Sequence, residues 1–149
     1  MSRKTLHDLL NQFESGLAVF PVVATEIEFT LHGASSHTEA AVLDALRAVC
    51  KKHSIPLFSC EKERGLEQYE IALPPSRDVA SVIAATDRLK TALSELESSH
   101  TIRADFSALP HTGEPGNGLH VHFHLEDEAG KNIFTRERSE ERRVGKECL

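Results

Sequence analysis

Apolar positions recur along the chain in two periods, and their alternation predicts the order of elements. Over 5–13, Leu6, Leu9, Leu10 and Phe13 fall at helical spacing, and Glu14-Ser15-Gly16 interrupts the pattern. Residues 22–31 are rich in β-branched and aromatic side chains and predict a strand, closed by a turn over 33–37. Ser36 followed by Glu39 reads as a capping box that opens a helix running to about His53. Its stripe is Val42, Leu43, Leu46, Val49 and Cys50. A strand is expected to begin over 57–60, and 68–73 alternates as a strand stopped by Pro74-Pro75. One long helix is predicted over 78–97, with Val79, Val82, Ile83, Leu89, Leu93 and Leu96 facing a core. Residues 102–108 are expected to be extended, 109–118 to be a Gly- and Pro-rich loop, 119–125 a strand, and 126–132 a polar turn.

Side chains alternate between the two faces of a strand, so each predicted strand sorts its chemistry. Glu26 and Glu28 share a face opposite Ile27, Phe29 and Leu31. Gln68 and Glu70 oppose Tyr69, Ile71 and Leu73, while His120, His122 and His124 oppose Leu119, Val121, Phe123 and Leu125. The pattern predicts an α+β domain: a mainly antiparallel curved sheet with two or more helices packed on its apolar face. A solvated sheet face normally mixes Lys, Arg, Ser and Thr, whereas this one offers carboxylates and imidazoles. Clustered carboxylates repel one another unless a cation sits among them. Oxygen donors with an added imidazole point to Mg²⁺ or Mn²⁺. Two readings stand beside this one: a wet sheet face that binds nothing, and a His-x-His-x-His run that holds zinc or is only surface histidine.

Composition narrows the classes. The 149 residues are 40% hydrophobic and 27% charged, which suits a packed domain. A net charge of −6 argues against a nucleic-acid binder, and no apolar run reaches membrane-spanning length, so neither nucleic acid nor membrane is an expected partner. Cys50, Cys60 and Cys148 form no paired motif, and a reducing cytoplasm is the expected location. Cys50 is assigned to the core, and Cys60 is placed near the metal face but left out of it because thiolates suit softer metals. His7, His32, His37, His53, His100 and His111 are read as solvated or capping, and Glu126-Asp127-Glu128 as a solvated turn. The stretch from Arg138 to Cys148 is charge-dense and aperiodic, and resembles the in-frame translation of a sequencing-library adapter. Residues 138–149 are therefore expected to be a non-native tail, with the native sequence interrupted near Glu137 and the true protein continuing beyond it.

Four ordered blocks carry a family resemblance. They are Glu26-Ile27-Glu28-Phe29, the run from Glu63 to Glu70 with its E-x-x-x-x-Q-x-E spacing, the run from Gly116 to His122, and Gly130-Lys131-Asn132-Ile133-Phe134. Together with the segment from Asp105 to Pro110 they resemble the glutamine synthetases over roughly 20–136, the first part of that family's catalytic domain. The resemblance implies a division into 1–19 (N-terminal helix and linker), 20–137 (partial catalytic domain) and 138–149 (tail). It implies two divalent cations, Mg²⁺ or Mn²⁺: one held by Glu28, Glu63 and Glu70, the other by Glu26 and His120. His122 matches a position near the nucleotide phosphates, and Gly116 one whose backbone meets the substrate's α-amino end.

The implied reaction uses ATP to phosphorylate a glutamate carboxylate, which ammonia or an amine then attacks. The implied partners are these small molecules and, for a full-length parent, further copies of itself. The chain departs from the family at Pro115, where an asparagine is usual, and at His124, where a serine is usual. The stretch between Phe29 and Glu63 is also shorter than in typical members. The leading expectation is a fragment of an ATP-dependent carboxylate–amine ligase, without turnover on its own. The alternative is a catalytically inactive divalent-metal or nucleotide-binding remnant, and a third is a structural fragment.

Overall fold

The computed structural model describes residues 18–134. The predicted helix over 5–13 and the charged tail over 138–149 lie outside the described residues. The elements are β1 (Val19–His32), a 3₁₀ turn (Ala34–Ser36), α1 (Glu39–Lys52), β2 (Ser59–Lys62), β3 (Gln68–Ala72), α2 (Val79–Ala92), α3 (Glu95–His100), β4 (Arg103–Asp105) and β5 (Leu119–Asp127).

Five antiparallel strands form one sheet around β1. Along one edge β1 meets β3, with Glu28 opposite Glu70 and Ile27 opposite Ile71. β2 follows, with Glu61 opposite Glu70 and Cys60 opposite Ile71. On its other side β1 meets β5, with Glu26 opposite His120, and then β4, with Leu31 opposite Ala104.

The core lies on the face of Ile27, Phe29 and Leu31, each at most 1% exposed, together with Tyr69, Ile71 and Leu73. α1 adds Val42, Leu46, Val49 and Cys50, and α2 adds Ala85 and Leu89. Each fully buried Leu, Ile or Phe contributes about 1.5–3 kcal/mol. α2 lies over β1, where the hydroxyls of Thr25 and Thr86 meet at 3.0 Å and Thr86 also donates to the Val82 carbonyl.

Several expectations are corrected. Ser36 does not cap α1; it ends the 3₁₀ turn, and Thr38 takes the extended cap conformation and accepts from the Ala41 N–H. Glu39 is thereby the first helical residue, not the third of a capping box. The long helix is two helices. Ser94 Oγ donates to the Thr91 carbonyl at 2.7 Å, diverting it from the helical ladder, and the backbone tightens to i→i+3 bonds there. The break lets Leu93 and Leu96 both reach the core. Ile83 is 44% exposed, because α2 meets the sheet through Val82, Ala85, Thr86 and Leu89 instead. The second strand begins at Ser59 and directs Cys60 into the core, away from the carboxylate face. Glu126 and Asp127 belong to β5, and Glu126 pairs with Arg77 at 2.7 Å and His124 at 3.0 Å. The apolar row of β5 is uncovered among the described residues: Leu119, Val121 and Phe123 are 50–64% exposed. α2 covers β1, and no described helix lies over β5. Among the described residues no helix is long and apolar enough to cross a membrane.

Candidate functional site

Pairing β1 between β3 and β5 gathers the polar alternates of three strands on one face. Glu28, Glu70 and Glu61 form a row across β1, β3 and β2, and Glu26 stands opposite His120. Like charges placed directly opposite one another destabilise a sheet. This row therefore opposes the packing energy of the core behind it.

A carboxylate oxygen each from Glu26 and Glu70 and one ring nitrogen of His120 lie within 4.8 Å of one another. The electrostatics follow from the crowding. Burial pushes the Glu70 carboxyl up, and Glu26, Glu63 and Glu28 push it further, with only His120 acting the other way. Glu26 is pulled down, chiefly by its bond with His122 Nε2 at 2.9 Å, despite some burial. His120 Nδ1 is 3.5 Å from Glu26 and 4.0 Å from Glu28.

Glu28 is oriented by the backbone. Its Oε2 accepts from the Gly118 N–H at 2.8 Å, and its own N–H donates to the Gly118 carbonyl at 2.9 Å. A Cβ at Gly118 would stand 2.8 Å from His120 Nε2 and 3.3 Å from Glu28 Oε2, so glycine is what lets the loop pass between these side chains.

Glu63 follows β2 and is bonded to the first residue of β3. Its N–H donates to the Gln68 carbonyl at 2.8 Å, and its carboxylate accepts from the Arg64 N–H at 3.3 Å. It lies outside the three-donor grouping yet close enough to raise Glu70. Gly116 is held by Gln68, the first residue of β3. The Gln68 side chain, 4% exposed as a residue, donates from Nε2 to the Gly116 carbonyl at 2.9 Å and accepts at Oε1 from the Gly65 N–H at 3.1 Å. Asn117 continues the clamp by donating to the carbonyls of Asp105 and Ser107. One buried amide thus ties the turn before β3 to the loop before β5.

The structure therefore brings Glu26, Glu70 and His120 together, sets Glu28 and His122 beside them, and leaves Glu63 and Gly116 outside that grouping. Sequence reasoning did not single out Glu61, because only the register of β2 aligns it with Glu70. Nor did it find the clamp of Gln68 and Asn117, although the E-x-x-x-x-Q-x-E spacing contained its signal. Among the histidines read as solvated or capping, His32 bonds Asp105 at 3.0 Å and His53 bonds Glu95 at 2.8 Å.

Comparison with known proteins bears on this arrangement. The family description "glutamine synthetase, catalytic domain" matches residues 18–148. Gamma-glutamylputrescine synthetase PuuA of Escherichia coli (strain K12) is 23% identical over 176 aligned residues, covering 99% of this chain and 37% of that protein. A solved structure described as a novel glutamine synthase homolog has a TM-score of 0.71 at 20% identity, over 86% of this chain and 32% of its own. A GmaS/ADP complex gives 0.70 at 20% identity, over 89% and 35%. Plasmodium falciparum glutamine synthetase gives 0.66 at 16% identity, over 93% and 37%. At these identities the structural likeness concerns the fold. The chain spans about a third of the length of the relatives it matches.

Proposed function

The chain belongs to the glutamine synthetase family through its catalytic domain, and on that premise we propose that it is the metal-bearing part of an ATP-dependent carboxylate–amine ligase. The observation that carries this reading is the convergence of Glu26, Glu70 and His120 within 4.8 Å on one sheet face. The donor set fits a divalent cation. It is oxygen-rich with one imidazole, which suits Mg²⁺ or Mn²⁺. The Glu70 carboxyl is raised first by burial and then by the neighbouring Glu26, Glu63 and Glu28, and a cation among these carboxylates relieves the second cause.

Glu28, Glu63 and Glu70 would hold the ion on the substrate side, and Glu26 and His120 the ion on the nucleotide side. When bound, such ions neutralise phosphoryl oxygens and fix their geometry for in-line transfer. The rest falls to the chain's own groups. His122, bonded to Glu26 and more than half exposed, would meet the phosphates of ATP. The loop at Gly116 is held by Gln68, and its backbone would meet the amino end of glutamate or a related carboxylate. Phosphorylation of the side-chain carboxylate and attack by ammonia or an amine would follow. A full-length parent is proposed to be a cytoplasmic homo-oligomer.

The second reading is a relative that binds metal or nucleotide without turnover. It is favoured by Pro115, which precedes Gly116 in the loop. Calorimetric titration of the full 149-residue chain with Mn²⁺ is expected to give saturable heat that vanishes in the Glu28→Ala, Glu70→Ala double variant. Equal heats from the two proteins would overturn both binding readings. ATP- and glutamate-dependent phosphate release is expected to be absent from this chain alone.

A further inference from the structure

A second donor cluster lies at the far end of the same sheet face. His32 is six residues beyond Glu26 on β1, about 20 Å along the strand. One ring nitrogen each of His32 and His111 and a carboxylate oxygen of Glu67 lie within 4.8 Å of one another. All three residues are half-buried, and the two rings pack edge to face with centroids 5.1 Å apart.

Three observations set this cluster apart from chance contact. His111 Nε2 is inaccessible to solvent and has no hydrogen-bond partner, the one such buried side-chain polar atom among the described residues. Buried polar atoms are normally satisfied, and an exception calls for a missing partner. The other two residues are each held by a further bond. His32 Nε2 bonds Asp105 at 3.0 Å, and Glu67 accepts from the Ser35 N–H at 2.7 Å. A carboxylate bonded to one ring nitrogen, leaving the other for an ion, is the support that metal-ligating histidines carry, because it fixes the ring and raises its basicity. Glu67 also sits at φ 53°, in the left-handed region that favours glycine, and it is this residue whose carboxylate meets the two rings.

We propose that His32, Glu67 and His111 form a zinc site, separate from the carboxylate cluster, that pins the 109–118 loop to the end of β1. Two imidazoles and one carboxylate are a zinc ligand set, with a fourth position left for water. The nitrogen majority disfavours Mg²⁺ and Ca²⁺. Tetrahedral ligands at ~2.1 Å from zinc stand about 3.4 Å apart, so donors within 4.8 Å reach that geometry by small side-chain rotations. The ion would join three segments: the end of β1, the turn before β3, and the loop that carries Gly116.

The test uses the full chain, loaded with Zn²⁺ in excess Mg²⁺ and then dialysed. About one equivalent of zinc is expected to remain. Its affinity should fall at least tenfold in His111→Gln and in Glu67→Gln, and stay within twofold in Glu70→Gln. Zinc held equally by His111→Gln and Glu67→Gln overturns the site, as does failure of the unaltered chain to retain zinc. A measurement without substitution guards against misfolded variants. In long-range ¹H–¹⁵N spectra of the parent, Zn²⁺ should shift the ring nitrogens of His32 and His111 and leave those of His53 in place. Shifts confined to His120 and His122 would refute the proposal.

Discussion

Replacing Glu70 by Gln is expected to change the sign of its effect with the metal. In chelator at pH 7 the fold holds Glu26 and Glu70 with carboxylate oxygens no more than 4.8 Å apart. Two unit charges at that separation repel by about 1–3 kcal/mol between the effective dielectric of water, about 80, and that of a protein surface, about 20, and solvent screening holds a half-exposed pair near the low end. Glu28 and Glu63 add to this and His120 offsets part of it. Glu70→Gln keeps the shape and removes the charge, so the metal-free variant should be about 1 kcal/mol more stable than the parent. For a chain of this size that is a rise in Tm of about 2–4 °C.

The pH dependence has a definite sign. Glu70 is raised in the fold above its ordinary 4.5, so the protonated form is favoured there. The parent's handicap is absent below about pH 4.5 and grows as pH rises through the folded value. The variant's advantage should follow the same course. Mn²⁺ reverses the order: at a hundredfold excess over Kd it stabilises the parent by about 2.7 kcal/mol, and the variant should gain little. Thermal unfolding followed by circular dichroism, in chelator and in Mn²⁺, gives all four values. If Glu70→Gln lowers Tm in chelator, or keeps the full Mn²⁺ shift, the account of this face as a strained cation site is wrong.

Other substitutions probe the scaffold. Gly116→Ala puts a Cβ 2.4 Å from the Ala108 carbonyl and strains the bonds to Gln68 and Asn117; a loss of about 2–3 kcal/mol is expected in urea unfolding. Asp78 caps α2 by accepting from the Ser81 N–H at 3.0 Å and the Ser81 hydroxyl at 2.6 Å, so Asp78→Ala should cost about 1 kcal/mol by the same measurement. Burial pushes the Cys60 thiol up to about 11, leaving roughly one thiolate in a thousand at pH 8. Peptide-level mass spectrometry after iodoacetamide should find Cys60 unmodified in the folded chain and alkylated in urea. Val121→Thr with Phe123→Gln removes exposed apolar surface from β5; it should change stability by less than about 0.5 kcal/mol and raise solubility, measured as the concentration at which light scattering begins.

What could be read in advance was what is local. Alternation in β1 and β3 assigned their faces correctly, because the side-chain period of a strand is independent of its neighbours. The same alternation in β5 separated His120 from Val121 equally well, but did not reveal that Leu119, Val121 and Phe123 lie beyond the cover of α2. That depends on where a helix axis crosses a sheet. Periodicity ran straight through Leu93 and Leu96 because both are buried, and missed the break that the Ser94 hydroxyl makes between them. Register was likewise out of reach: it sets Glu61 against Glu70 and directs Cys60 to the core. His32, Glu67 and His111 were passed over because each is unremarkable in its own segment, and only the fold of β1 and two loops makes them neighbours.

The long first strand has a consequence for how the molecule opens. β1 carries Glu26 and Glu28, and it is hydrogen-bonded to β3 on one side and to β4 and β5 on the other. Around Glu26 and Ile27 both edges are paired at once. Amide exchange there requires partners on two sides to separate, which in a sheet of this size means losing the sheet. The carboxylates are therefore carried by the slowest-exchanging backbone of the domain, and the 109–118 loop by backbone that opens more readily. Partial opening would loosen the loop first and leave the acidic face assembled until the whole sheet melts.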